Sequence, residues 1–478
     1  DGAGRSREIR MRGLGGGYTQ VLINGEPVAS GFSVDSISPD LIDRIEVLRS
    51  PTADQSAQSI AGSINIVLKQ VVRAGTREVK TNVSTYEGLL SGGASGQYAN
   101  RRGSLSYTLA GNVNVDRDRW PSTTYLRAVD SSGSLVSERE TRSVEEGRRL
   151  TFGLTPRLTI KSREEQSLSL DGFFQGQQFT HTGEESRTVH GGESPDFASN
   201  VMRVIYDSLR ARVTAALKSP IGDEGRIDTR IILATNRRDS DGRLSGFDEQ
   251  GGAVLFRTVD SSLEDDSVTW TGKYNISIGR SHSFAVGFDS QYTSRDEGRV
   301  QRETSPVGFD TLDLDERYDA RVARTAVYIQ DEWTASPKVS GYVGLRWEDL
   351  KTDTRGTGVN NVGYRSSTLS PTAQLLLKLP SSKSKQVRVA LSRTYKAPTA
   401  RELIPRRWVV NDNSATTPNF QGNPELKPEL SWGLEAGYEH YLGETTILAL
   451  NAYKRRIDNV TIQRIYEEEG IWISTPDN

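Results

Sequence analysis

From Val79 to about Arg456 the chain keeps returning to one pattern, stretches of about ten residues in which polar and apolar side chains take turns. Between Ser104 and Val115, Leu105, Tyr107, Leu109, Val113 and Val115 fall on one face, and Ser104, Ser106, Thr108, Asn112 and Asn114 on the other. Between Ser208 and Leu217, Leu209, Ala211, Val213, Ala215 and Leu217 oppose Ser208, Arg210, Arg212 and Thr214. Ile227, Thr229, Ile231 and Leu233 likewise oppose Asp228, Arg230 and Asn236, with Ile232 interrupting the polar side. A period of two places alternate side chains on opposite faces of a strand. Over about ten residues it is the mark of a strand with lipid on one side and a wet lumen on the other. On alternation alone, a soluble β-sandwich with one solvated face stays open.

The connections separate the two. Strands read at 78–86, 90–98, 103–116, 148–160, 166–179, 200–217, 226–240, 267–278, 282–293, 322–335, 339–350, 368–378, 387–396, 429–441 and 445–456. Links after the even-numbered strands are short: Ala99 to Arg102, Lys161 to Glu165, Gly279 to Ser281, Ser336 to Lys338, Leu442 to Glu444. Those after the odd-numbered ones are mostly long and polar: Arg117 to Gly147, Asp241 to Asp266, Ser294 to Arg321, Ala397 to Pro428. Transmembrane barrels alternate tight periplasmic turns with long outer loops; a sandwich has no reason to. The expected fold is therefore an all-β membrane protein, a large antiparallel transmembrane β-barrel. Its odd strand count leaves the chain in an outer loop near Asn478, so further strands are expected beyond it, since an open edge in lipid strands backbone groups at several kcal/mol each. Tyr86, Tyr98, Phe179, Tyr292, Trp333, Trp347, Tyr395, Trp432 and Tyr441 stand near strand ends, where an aromatic girdle belongs.

Composition removes other classes. Sixty Lys and Arg balance 62 Asp and Glu, so no basic excess points to nucleic acid. Cysteine is absent and the four histidines are scattered, which drops disulfides, thiol chemistry and His-based metal clusters, and no cofactor is expected. No run approaches the roughly twenty apolar residues of a membrane helix. No nucleophile, base and orienter occur together, so an enzyme is not expected. The carboxylates of Glu264, Asp265 and Asp266, and of Asp310, Asp313 and Asp315, read as solvated loop charge before calcium ligands.

Near Gln70 the pattern changes. Before it, short apolar runs are parted by Gly, Asn and Pro, as in a small mixed α/β unit with a helical turn at Pro39 to Asp43; this divides the chain into 1–70 and 71–478. Within it, Met11-Arg12-Gly13-Leu14, Val21-Leu22-Ile23-Asn24-Gly25, Ile42-Asp43-Arg44-Ile45-Glu46-Val47-Leu48-Arg49-Ser50-Pro51 and Ala61-Gly62-Ser63-Ile64-Asn65-Ile66-Val67-Leu68-Lys69 follow in order. This series resembles the plug domain of TonB-dependent outer-membrane receptors. Later segments resemble the same family: Tyr328-Ile329-Gln330-Asp331-Glu332-Trp333, Gly344-Leu345-Arg346-Trp347, Tyr395-Lys396-Ala397-Pro398-Thr399 and Asn423-Pro424-Glu425-Leu426-Lys427-Pro428-Glu429. Ser50, Gln55-Ser56 and Leu68 depart from the usual Gly, Tyr-Gly and Thr, as in a divergent subgroup.

The resemblance implies a barrel of 22 strands, of which both ends lie outside this chain, filled by the plug in the outer membrane of a Gram-negative bacterium. It implies TonB as the energy-coupling partner and active import of a scarce nutrient, first a ferric siderophore. Cobalamin, haem or an oligosaccharide are other substrates, and a passive porin is the alternative mechanism. Outer-membrane lipid and lipopolysaccharide would surround the barrel, and phages or bacteriocins would be incidental users. Plug cations Arg12, Arg44 and Arg49 and anion Glu46 are expected to hold the plug, with Glu332 and Glu429 as partners on the wall. Alternation puts Glu332 with Tyr328 and Gln330 on the lumen side. Gly13, Gly25 and Gly62 sit at turn-like positions where positive φ or close packing is expected. For the ligand, Arg401, Arg406, Arg407 and Trp408, near Asn411 and Asn413, offer guanidinium groups beside an aromatic ring, suited to a planar anion or to lipopolysaccharide phosphate.

Overall fold

The structure, a computed structural model, describes residues 11–14, 17–23, 25–27, 42–68, 75–130, 132–162, 166–192, 194–308, 311–357, 359–379, 385–410, 413–442 and 446–478. Four short strands come first: β1 (Thr19–Ile23), β2 (Glu26–Pro27), β3 (Ile42–Leu48) and β4 (Gly62–Leu68). They form a sheet in the order β2-β1-β4-β3, with β1 and β4 parallel and the other pairs antiparallel. The expected helical turn at 39–43 falls partly outside the described residues, and its last two, Ile42 and Asp43, begin β3.

The wall is one antiparallel sheet of 15 strands, and each strand read from the sequence has its counterpart. The first nine are β5 (Thr76–Tyr86), β6 (Leu89–Arg102), β7 (Leu105–Val129), β8 (Leu135–Lys161), β9 (Ser167–Gly192), β10 (Ser199–Ile221), β11 (Gly225–Phe247), β12 (Ala253–Ile278) and β13 (His282–Thr304). They are followed by β14 (Leu314–Ser336), β15 (Val339–Gly356), β16 (Val359–Lys378) and β17 (Lys385–Lys396), then β20 (Glu429–Leu442) and β21 (Thr446–Asp458). A third sheet lies in the segments beyond the long-link ends: β18 (Arg407–Trp408), β19 (Asn419–Gln421), β22 (Ile462–Glu468) and β23 (Ile471–Asp477), in the order β18-β19-β23-β22. Among the described residues β5 and β21 each have a single neighbouring strand.

The pleat sorts side chains as the alternation requires. Thr108 and Asn112 are both 7% exposed on the inner face, whereas Leu109 is 47% and Val113 52% exposed on the outer. Such apolar exposure repeats across the wall, as a lipid-facing surface demands and a solvated one would not tolerate. Ile232, which breaks the polar side of β11, is buried on the inner face. Tyr86, Tyr292, Trp347, Trp432 and Tyr441 are exposed, but Phe179 and Tyr395 are buried, so these two do not belong to a girdle.

The long links need a larger correction. Arg117 to Gly147 is mostly ribbon: β7 and β8 stay in register from Arg117↔Arg148 to Ala128↔Ser137. Asp241 to Asp266 and Ser294 to Arg321 are also largely strand. β8 reaches 27 residues, where about ten suffice to span a bilayer. Beyond lipid both faces of a ribbon meet water, so its sequence loses the alternation and reads as loop. Ala397 to Pro428 is different, and holds helix α1 (Ala400–Leu403) with β18 and β19. The first outer link is the exception in length, a two-residue turn at Glu87-Gly88 with positive φ at both.

Candidate functional site: the plug against the wall

β3 ends at Leu48, and the chain then runs as a loop from Arg49 to Ala61 before β4. Ala53, Ala57, Ser59 and Ala61 in it are small and buried, and at Ala53 and Ala57 the backbone meets the wall directly. Ala53 donates its N–H to Tyr342 Oη at 2.5 Å, and its carbonyl accepts from Arg346 Nη1 at 3.3 Å. The contact is close enough that a Cβ on Gly344 would stand 2.7 Å from the Ala53 methyl, so glycine is required there. Further along, Tyr395 N–H donates to the Ala57 carbonyl at 2.9 Å, and Gln58 Nε2 to Tyr395 Oη at 3.0 Å. Tyr395 Oη in turn donates to Glu348.

Among the described residues one ion pair crosses from this loop to the wall. Lys273 Nζ lies 2.7 Å from Asp54 Oδ2, and Thr52 Oγ1 donates to Asp54 Oδ1 at 2.5 Å. Burial alone would raise the Asp54 carboxyl, but the ammonium and the hydroxyl outweigh it and hold it below the usual range. Behind the loop the wall has its own charge set: Arg346 bonds Glu348 and, at 3.0 Å, Asp289, which also takes Arg324 at 3.0 Å.

A second contact lies at β20 and β21. Arg12, itself at φ 58°, pairs with Glu435, which also holds Arg455 at 3.1 Å. Tyr453 Oη donates to the Arg12 carbonyl at 3.1 Å, with its ring 5.4 Å from the guanidinium. Burial is the larger influence on Arg12 and lowers its pKa despite Glu435. Tyr18 Oη donates to Glu429 at 2.6 Å, and Lys396 lies 3.2 Å from the same buried carboxylate. Arg49 Nη1 reaches Asn451 Oδ1 at 2.8 Å.

The expected residues thus fare unevenly. Arg12, Arg49 and Glu429 lie at the plug–wall contact. Arg44 and Glu46 have no wall partner among the described residues; on edge strand β3 they pair with each other, with Asp43 and with Asn65. The Asn65 bond is the main reason the Glu46 carboxyl falls below its usual range. Glu332 is exposed near the short-turn end of β14 and has no plug partner among the described residues. Gly13, Gly25 and Gly62 all have positive φ, and a Cβ on Gly62 would also stand 2.7 Å from the Leu48 carbonyl. Asp54, Lys273, Tyr342, Tyr395 and Glu435 were missed. Inner-face parity was the available signal for Lys273, but nothing local pairs it with a residue 219 positions away.

In the outer segments, Thr399 and Glu402 form a capping box that starts α1. Arg401 and Arg406 stack on Trp408 at 5.3 and 4.9 Å, and Phe420 lies 5.4 Å from that indole. Arg406 is buried and paired with Glu316; Arg407 pairs with Glu468 at 2.7 Å. These two guanidinium groups are already neutralised, and Arg401 alone of the three has no carboxylate partner among the described residues. Asn413 bonds the Trp472 backbone, and Asn411 lies outside the described residues. Asp265 is held by Arg295 at 2.6 and 2.9 Å; Asp310 is outside the described residues. Among the described residues no group of three or more His, Asp or Glu could hold a metal.

A sheet whose outer face is apolar, and whose inner face is bonded to a separate amino-terminal unit, defines a plugged membrane β-barrel. The family model "TonB-dependent Receptor Plug Domain" matches residues 1–63, and "TonB dependent receptor-like, beta-barrel" matches 80–466. The chain belongs to the TonB-dependent receptor family, a family of outer-membrane barrels. It is 25% identical to the ferric enterobactin receptor of Pseudomonas aeruginosa over 95% of this chain and 63% of that one. It is 23% identical to a probable TonB-dependent siderophore receptor of Acinetobacter baumannii over 91% of this chain and 58% of that one. It therefore spans about three-fifths of the length of these relatives. A crystal structure of the Pseudomonas aeruginosa ferric enterobactin receptor shares the fold, with TM-score 0.61 and 18% identity over 99% of this chain and 69% of that one. The siderophore receptor PirA of the same organism gives TM-score 0.57 and 17% identity over 98% and 73%.

Proposed function

We propose that residues 1–70 are the plug and 71–478 part of the wall of an importer in a Gram-negative outer membrane, which takes up a ferric siderophore on energy delivered by TonB. Its role is transport rather than catalysis. What favours an importer over a passive porin is the loop 51–61, hydrogen-bonded to the inner wall at Tyr342, Arg346 and Tyr395 and ion-paired at Lys273. A porin needs that space open. The siderophore is favoured over cobalamin, haem or oligosaccharide by the names of the relatives, and Arg401 beside Trp408 and Phe420 suits an anionic aromatic ligand. The long-link end then faces outward and the short-turn end the periplasm.

The test is uptake of radio-iron siderophore by cells carrying the whole protein, with and without TonB. Loss of TonB should abolish uptake and leave surface binding intact. Uptake that persists without TonB would support the porin. A competition panel with catecholate, hydroxamate and carboxylate siderophores then identifies the ligand class.

A further inference from the structure

Pairing between β16 and β17 stops at Thr372↔Ser392, although β16 continues to Val359 at its other end. The break coincides with Pro371, which has no N–H to offer a neighbouring strand. Outside this break the wall carries a groove of 510 Å³ on its lipid-facing side. Ile329, Leu345, Pro371, Ala373, Leu391 and Trp432 line it, one row of register after another from β14 to β20. That volume is within the range of roughly 300–1,000 Å³ typical of small-molecule sites.

The two ends of the groove differ in charge. At one end Phe284 is two residues from the start of β13, at the short-turn side, with Asp331 and its partner His282 beside it at 2.7 Å. At the other, Trp432 is three residues into β20, at the long-link side, and its cross-strand partner is Arg393. Arg393 shares the outward face with Leu391, since Ser392 and Thr394 are buried inward. Its guanidinium lies 6.0 Å from the Trp432 ring and donates to the Leu369 carbonyl at 2.9 Å. Its Nε is buried without a hydrogen-bond partner, and no carboxylate pairs with it among the described residues. An arginine in a lipid-facing surface, paired with no anion of the protein, is costly unless the membrane supplies one.

The geometry points to a lipid-binding site: an acyl chain lies in this groove, and the phosphate of its headgroup takes Arg393 at the extracellular end. Six strands at about 4.8 Å spacing make the groove roughly 24 Å long. Running across strands tilted about 40°, it rises roughly 15 Å, the depth of one leaflet of a core about 30 Å thick. Asp331, already paired with His282, offers the phosphate no guanidinium, so Arg393 sets the orientation. The assignment of the head to the outer leaflet rests on the orientation proposed above; the site itself does not depend on the transported substrate.

Native mass spectrometry of the whole protein in detergent tests this, with dipalmitoyl phosphatidylglycerol and dipalmitoylglycerol as separate probes. The first phosphatidylglycerol adduct should be retained about tenfold more strongly than the diacylglycerol adduct, as one charge-assisted contact implies. Arg393→Gln should remove that preference and keep weak binding of both lipids. Ala373→Trp, which fills the groove from an exposed outward position opposite Leu391 and keeps the guanidinium in place, should remove both adducts. Equal adducts in the native protein and both variants, or a phosphate preference that survives Arg393→Gln, would overturn the site. Failure of siderophore uptake with these adducts intact would count only against the transport reading.

Discussion

The ion pair between Lys273 and Asp54 is the sharpest place to perturb plug retention. Both side chains are about a quarter exposed, 27% and 26%, so the pair is neither a surface bridge nor a dry one. Lys273→Met removes the 2.7 Å contact and leaves Asp54 half-buried, with Thr52 its one remaining side-chain donor among the described residues. Leaving a partly buried charge unpaired costs about 1–3 kcal/mol; about 2 kcal/mol raises the population of displaced plug roughly thirtyfold. The readout is entry of a large antibiotic, such as vancomycin, into cells carrying the whole receptor, set against receptor abundance. Asp54→Asn in the Lys273→Met background should recover most of the loss, because the uncompensated charge has gone. Acidity supplies a second arm. Asp54 has its carboxyl depressed in the native protein, so its contribution is complete above the ordinary carboxylate pKa and lost as pH falls through the depressed value. In Lys273→Met burial is no longer offset by the ammonium, so the carboxyl rises and acid should now reduce the leak by discharging the uncompensated group, opposite in sense to the native receptor. A variant that leaks no more than native, or a double variant as leaky as the single one, would refute the reasoning.

Arg12→Ala should raise the same leak clearly, because it removes the Glu435 pair and the stacking on Tyr453, whereas Arg49→Ala should change it by less than about 1 kcal/mol, its side-chain bond among the described residues being an exposed one. Gly344→Val should be worse than either, since a side chain there meets Ala53 and Tyr342 Oη; leak or loss of heat-modifiable receptor on gels is the measure. Arg401→Ala should weaken binding of an anionic siderophore about tenfold at unchanged thermal stability. Arg406→Ala should instead lower the melting temperature by emptying a buried site and leaving half-buried Glu316 unpaired, and calorimetry separates the two.

The wall was legible because lipid leaves a signature in every strand that crosses it. Leu209 and Leu217 outward against Arg210 and Arg212 inward is a rule of solvent, so it survives without any knowledge of partners. The ribbons above the membrane were not legible: from Arg117 to Ala128 both faces are wet, and only backbone register, which no side chain announces, makes them strand. The plug contact was half legible. Arg12 and Glu429 stand in recognisable motifs, but Glu435 and Lys273 are ordinary inner-face charges whose partners lie hundreds of residues away. Arg44 and Glu46 misled for the opposite reason: charges on an edge strand find each other first, at 2.8 Å and two residues apart.

The plug contact also has an internal logic. Were it apolar, displacing the plug would expose surface at about 25 cal/mol per Å². Instead the plug keeps its apolar side chains for itself, with Leu22, Ile23, Ile60 and Ile66 buried, and gives the wall backbone and polar groups that water can take over. On the wall side, most of the charges it touches already have a partner there. Glu435 keeps Arg455, Glu429 keeps Lys396, and Arg346 keeps Glu348 and Asp289 when Ala53 leaves. Removing the plug therefore strands none of these ions, and the cost reduces to hydrogen bonds exchanged with water at about 0.5–1.5 kcal/mol each. Lys273 is the member that faces the plug most directly, yet even it stands opposite Asp228 in the register of β11 and β12. A wall whose charges are balanced before the plug arrives can hold it by many weak bonds and still release it to a modest pull.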